Sequence, residues 1–116
     1  MHRLRLYRYQ AYSRVLFWMA LIGSYTLAVM PSSIAPHFSW SDKANHIFAF
    51  VVLTLLLRLG YRLSYFVSFA LMVAYGGFIE ISQYFLPTRS SELADIAADT
   101  IGIFAGLKIY KLLRKI

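Results

Sequence analysis

The sequence predicts an all-α, polytopic membrane protein of four transmembrane helices with both termini in the cytoplasm. Three observations carry this. Apolar residues make up 59% of the 116-residue chain and aromatic residues 17%, against roughly 45–50% apolar in a soluble domain. The apolar residues gather into four runs separated by short breaks containing proline, glycine and serine. The basic residues fall in alternate breaks, the pattern by which loops of a membrane protein sort to one side of the bilayer.

This length allows one domain at most. The chain has no cysteine, which excludes a disulfide framework, a thiolate metal site and thiol catalysis. The net charge of +7 does not indicate a nucleic-acid partner, because Lys and Arg lie between apolar runs instead of clustering on a polar surface.

The first run extends from Val15 to Met30, with an extension to Ala35, and follows a basic segment holding Arg3, Arg5, Arg8 and Arg14. Basic residues before an apolar run also describe a signal peptide, and Ser33-Ile34-Ala35 resembles a cleavage site. Pro36 would follow the cut, so the run is read as a retained helix. Pro31 and Pro36 break the chain, and the second run occupies Asn45 to Leu59. That is shorter than the roughly 20 residues that cross a hydrocarbon core, so this helix must borrow its polar flanks or sit where the membrane thins. Gly60 ends it. The third run, Leu63 to Leu86, is long enough to tilt. Pro87, Thr88, Ser90 and Ser91 separate it from the fourth, Leu93 to Leu113, whose first turns are acidic.

Arg3, Arg5, Arg8 and Arg14, then Arg58 and Arg62, then Lys108, Lys111, Arg114 and Lys115 share one side, leaving Lys43 and Arg89 opposite. That side is cytoplasmic by the positive-inside rule, and its charge also attracts anionic lipid head groups. All five acids, Asp42, Glu80, Glu92, Asp95 and Asp99, fall on the outer side. Asp42, Glu92 and Asp95 begin helices, where the macrodipole favours a carboxylate by about 0.3–1 kcal/mol. Glu80 sits near a helix C-terminus, where the dipole opposes it. It is flanked by Phe78, Ile79 and Ile81, in surroundings where an unpaired charge costs at least about 2.5–3.5 kcal/mol. It therefore needs protein partners, a cation or a wet cleft, and Asp99, one turn deeper than Asp95, has the same need.

Helical spacing arranges these groups. Gly76, Glu80 and Gln83 share a face of the third helix, Asp42 and His46 a face of the second, and Asp95 and Asp99 a face of the fourth. Ala98, Gly102 and Gly106 continue that last stripe, a small-xxx-small pattern that draws the acidic face into the bundle. Three helices thus present polar groups at one depth, with Lys43 and Arg89 as the outer cations. One reading is an interhelical network that knits the bundle. Another is a site in which His46 acts as general acid or base, and a third a divalent metal held by His46 with two or three carboxylates. No nucleophile is identifiable.

Asp42-Lys43-x-x-His46, Glu80-x-x-Gln83, Pro87-x-Arg89, Asp95 and Gly102-x-x-x-Gly106, in this order on successive helices, resemble the VanZ-like family of bacterial membrane proteins over roughly the last three-quarters of the chain. The family often has asparagine where this chain has Asp99, so here a titratable group is added. On this reading residues 1–14 form a basic cytoplasmic segment and 15–113 the VanZ-like four-helix domain. The resemblance implies a multi-pass protein of the bacterial cytoplasmic membrane, and the best-known members are associated with teicoplanin resistance. A housekeeping role in envelope or lipid metabolism fits equally, and the family name supplies no reaction.

The expected function is recognition, with or without modification, of the head group of a membrane lipid, a lipid-linked envelope precursor or a glycopeptide-related ligand. Glu80, Asp95, His46 and Asp42 would handle protons or a cation, and Lys43 and Arg89, with Gln83 and Asp99, would hold the anionic ligand. The alternative is a non-catalytic structural or interaction subunit of the envelope machinery. Transport ranks last, since four short helices lack an inverted repeat; the number of copies in the assembly is open.

Overall fold

A computed structural model describes residues 9–30, 42–86 and 93–115, and within them the chain forms four helices and no strand. They are α1 (Gln10–Val29), α2 (Asp42–Gly60), α3 (Tyr65–Tyr84) and α4 (Leu93–Lys115). The boundaries differ from the expected ones for local reasons. Met30 leaves α1 in an extended conformation, φ −63° and ψ 141°, because Pro31 follows and its ring disfavours helical backbone in the residue before it. α1 starts at Gln10 instead of Val15, so Arg14 belongs to the helix. α2 starts three residues before Asn45 and has 19 residues, about 28 Å of helix, its polar N-terminal flank included. α3 starts at Tyr65 instead of Leu63 because Ser64 caps it, its hydroxyl accepting from the Val67 N–H at 3.1 Å. It ends at Tyr84, and the Leu86 N–H turns back to the Gln83 carbonyl, ahead of Pro87. The proposed extension of the first helix to Ala35 lies outside the described residues.

Interhelical contacts define the topology. Ser24 meets Tyr75, Tyr25 meets Ser82 and Ala28 meets Gln83, so α1 and α3 run parallel. His46 meets Asp99 and Arg58 meets Tyr110, so α2 and α4 also run parallel. Arg14 donates from Nε to the Gly60 carbonyl at 2.6 Å, which sets α1 antiparallel to α2, and Phe69 against Phe104 with Gly76 against Asp99 sets α3 antiparallel to α4. The result is an up-down-up-down bundle with α2 and α4 as its most extensive pairing.

Glycine makes that pairing close. A Cβ on Gly102 would lie 2.5 Å from the Ile47 carbonyl oxygen and 2.9 Å from Phe50 Cβ; one on Gly106 would lie 2.8 Å from Thr54 Cβ and 2.9 Å from the Val51 oxygen. The buried face of α4 contains the stripe expected from spacing, Asp95, Ala98, Asp99, Gly102 and Gly106, and adds Ile103 and Leu107. It packs on Phe50, Leu53, Thr54 and Leu57 of α2.

The bundle is apolar outside and partly polar inside. Leu16, Met19, Ile22, Phe66, Phe78, Ile81 and Ile101 are exposed, whereas Thr54, Ser68, Glu80, Gln83, Asp95 and Asp99 are buried. Two helices, α1 and α3, are long and apolar enough to cross a membrane, and only 11% and 28% of their apolar windows is buried. Helices from the core of a water-soluble protein would be mostly covered. The apolar part of α2 is shorter, Ala44–Gly60, and α4 carries charge in both halves.

Replacing Gly102 by Leu should force α2 and α4 apart and destabilise the protein by at least about 1–3 kcal/mol, the usual cost of overpacking. Gly23→Ala is the control, because nothing lies within 4 Å of its added Cβ and alanine favours the helix by about 1 kcal/mol. Melting temperatures of the two variants in detergent should move in opposite directions.

Candidate functional site

His46 lies one helical turn before Phe50 on α2, and Asp95 and Asp99 lie one turn apart on α4. The parallel pairing brings the three together at one end of the bundle. His46 Nδ1 is 2.7 Å from Asp99 Oδ1, and His46 Nε2 is 3.8 Å from Asp95 Oδ2. Both nitrogens of one imidazole therefore face carboxylate oxygens. The Asp99 contact is a short hydrogen bond and the Asp95 contact an ion-pair distance. The Asp99 side chain is 2% exposed and that of His46 20%, so the centre is closed toward the bundle and open at its histidine edge.

α3 completes the enclosure. A Cβ at Gly76 would lie 2.9 Å from Asp99 Oδ2, so glycine lets the α3 backbone pass beside the carboxylate. Among the described residues, that Oδ2 has no hydrogen-bond partner. Glu80, one turn beyond Gly76, is buried and its charge acts on His46. Phe50, only 2% exposed, forms the floor: it lies against both Gly102 and Gly76 and its ring packs on Tyr75 at 5.8 Å between centroids.

The structure thus gathers His46, Asp95 and Asp99 and sets Glu80 near them. Gln83 is directed elsewhere. Its amide Nε2 donates to the Ala28 carbonyl at 3.0 Å, so it joins α3 to α1 and does not serve the carboxylates. The side chains of Asp42 and Lys43, and Arg89 and Glu92 entirely, lie outside the described residues. Among those described, no group of three or more His, Cys, Asp or Glu side chains is arranged to hold a metal ion. Sequence reasoning missed Phe50, although its position four residues after His46 placed it directly below the imidazole. It also missed the hydroxyl seam between α1 and α3, where the Tyr75 hydroxyl donates to the Leu21 carbonyl at 2.8 Å, with Ser24 Oγ 2.7 Å away, and Tyr25 meets Ser82 at 2.9 Å.

Chemically, the centre holds an ionisable ring between two acids in an apolar-walled bundle. It can fix the orientation of the imidazole, keep a positive charge at its open edge, or pass a proton between that edge and Asp99. The fold and centre define a class: a small helical-bundle protein with an apolar exterior and ionisable groups buried at one end. A model of the VanZ/LLP1 family matches residues 5–114, nearly the whole chain, and the protein belongs to that family. Family membership and the two apolar helices together suggest a membrane protein. No curated protein and no solved structure matches the chain.

His46→Ala and Asp99→Ala should be coupled in a double-mutant cycle by about 1–3 kcal/mol, measured from unfolding in mixed micelles. His46→Ala with Asp95→Ala should be coupled by less than about 1 kcal/mol, because the 3.8 Å contact is the looser one. Equal coupling of the two pairs would contradict the geometry.

Proposed function

We propose that this VanZ/LLP1 protein crosses the bacterial cytoplasmic membrane four times, with both termini inside. We propose further that its His46–Asp99–Asp95 centre, with Glu80, receives the polar head group of a lipid or lipid-linked envelope precursor at the outer surface. The observation that carries this reading is the centre itself. Burying ionisable groups in a bundle with an apolar exterior is costly, and such groups in membrane helices usually mark a pathway or a site. Asp99 Oδ2, with no hydrogen-bond partner among the described residues, supplies an acceptor for a ligand hydroxyl or amine. Lys43 and Arg89 would bring positive charge for a phosphate or carboxylate. The teicoplanin resistance associated with the best-known members would follow if the bound precursor is one that glycopeptides recognise.

The orientation has a direct test, because the chain lacks cysteine. In intact cells, single cysteines at Ser33 and Ser90 should react with a membrane-impermeant maleimide and one at Ser64 should not. Reaction at Ser64 would invert the topology and move the centre to the cytoplasmic face.

A second reading draws on the 2.7 Å His46–Asp99 bond, which ties α2 directly to α4 as a purely structural pair would. Native mass spectrometry of the protein, wild type beside Glu80→Gln and Asp99→Asn, separates the two readings. A lipid or precursor carried by the wild type and lost from variants of unchanged melting temperature supports the ligand site. Variants that melt earlier, beside a wild type that carries nothing, support the structural subunit.

A further inference from the structure

The opposite end of the bundle holds two arginines built into the fold in the same manner but finished differently. Arg14 lies with its guanidinium carbon 4.8 Å from the centre of the Tyr61 ring, and its Nε donates to the Gly60 carbonyl at 2.6 Å. Its position is structurally complete: a ring to rest on and an acceptor for the Nε donor. Arg58 likewise rests on a ring, 4.5 Å from the centre of Tyr110. Its Nε is buried, yet among the described residues nothing accepts from it. A cation–π contact uses none of the N–H groups, so the stack fixes the guanidinium and leaves that donor unanswered.

Among the described residues no carboxylate offsets the charge of Arg58. Arg114, one turn beyond Tyr110 on α4, lies near enough to act on it unfavourably, and Lys108 and Lys111 are exposed on the same helix. The described acids Glu80, Asp95 and Asp99 belong to the other end. Basic residues in the last turns of α2 and α4 offset the helix dipoles one by one. That role does not require a donor to be buried with no acceptor among the described residues.

We propose that Arg58, fixed on the Tyr110 ring, together with Arg114 one turn further along α4, binds the phosphate of an anionic phospholipid at the basic end of the bundle. An oxyanion would supply the acceptor that Nε lacks and would bridge the two like charges, a task for which the planar guanidinium is suited. The lipid, and not free phosphate, is the occupant because Ile109 and Leu112, beside the site on α4, are exposed and give an acyl chain an apolar wall to lie against. This site shares with the His46 centre only the surrounding bilayer, and the two can fail separately.

The test is thermal stabilisation of the full chain in detergent on titration with phosphatidylglycerol, with phosphatidylcholine and inorganic phosphate as comparisons. Wild type should prefer phosphatidylglycerol. Arg58→Gln should weaken that binding about tenfold, the loss of one charge-assisted hydrogen bond. Tyr110→Leu should weaken it as well, and Tyr110→Phe, which keeps the ring, should not. The Lys108→Gln/Lys111→Gln double variant removes more charge at exposed positions and should stay within about twofold of wild type, because exposed charges contribute little. If Arg58→Gln does not fold, Arg58→Lys retains the charge without the planar fork and should still bind more weakly. Equal losses in the lysine variant and Arg58→Gln would reduce the site to diffuse charge. Stabilisation by phosphatidylcholine or inorganic phosphate matching that by phosphatidylglycerol, or Arg58→Lys binding as wild type does, would overturn the proposal.

Discussion

The close approach of α2 and α4 over Gly102 and Gly106 is the constraint on which the rest of the structure depends. With a Cβ at Gly102 the Ile47 carbonyl would be 2.5 Å away, so this spacing exists only because the residue is glycine. In the membrane that the family and the two apolar helices suggest, association would gain little from the hydrophobic effect and rest on contact and on hydrogen bonds. The glycines supply contact along the middle of the pair, and at one end that contact puts His46 within 2.7 Å of Asp99. Moving the backbones apart by the width of one methyl group would break that bond and open the centre.

The parallel pairing has an electrostatic consequence. It sets the N-termini of α2 and α4 side by side, so two positive dipole ends share one end of the bundle, and Asp95 in the first turn of α4 answers them. At the other end their negative C-termini meet Arg58 and Arg114. Among the described residues charge is thereby segregated along the bundle axis, carboxylates and His46 at one end and guanidinium groups at the other. The intervening interior is held by Phe50, Leu53, Met72, Ile103 and Leu107. α1 packs mainly on α2 and is tied to α3 by hydroxyl and amide hydrogen bonds, which matter more where water does not compete for the same donors.

Much of this was legible in advance. Four apolar runs, their helical character and the buried stripe from Asp95 to Gly106 follow from period and composition, because a helix of this sequence has only one face on which small and acidic residues coincide. The partnership of His46 with the carboxylates was expected from their common depth. What could not be read was how each polar group is answered. Gln83 shares a helix face with Glu80, yet it bonds to the Ala28 carbonyl of α1 because the face is wide enough to touch two neighbours. Nothing in the spacing distinguished Arg14, whose Nε meets a carbonyl, from Arg58, whose Nε meets no acceptor among the described residues.

By itself, then, the sequence determined the elements, the segregation of charge to opposite ends and the face by which α4 enters the bundle, since these depend on local period and on the cost of charge in apolar surroundings. The choice of partners was a tertiary decision. Which carboxylate takes Nδ1 of His46, and which aromatic ring carries Arg14 and which Arg58, depend on side-chain directions from different helices meeting in space. Contacts between residues such as His46 and Asp99, 53 positions apart, leave no trace in the pattern of either segment alone.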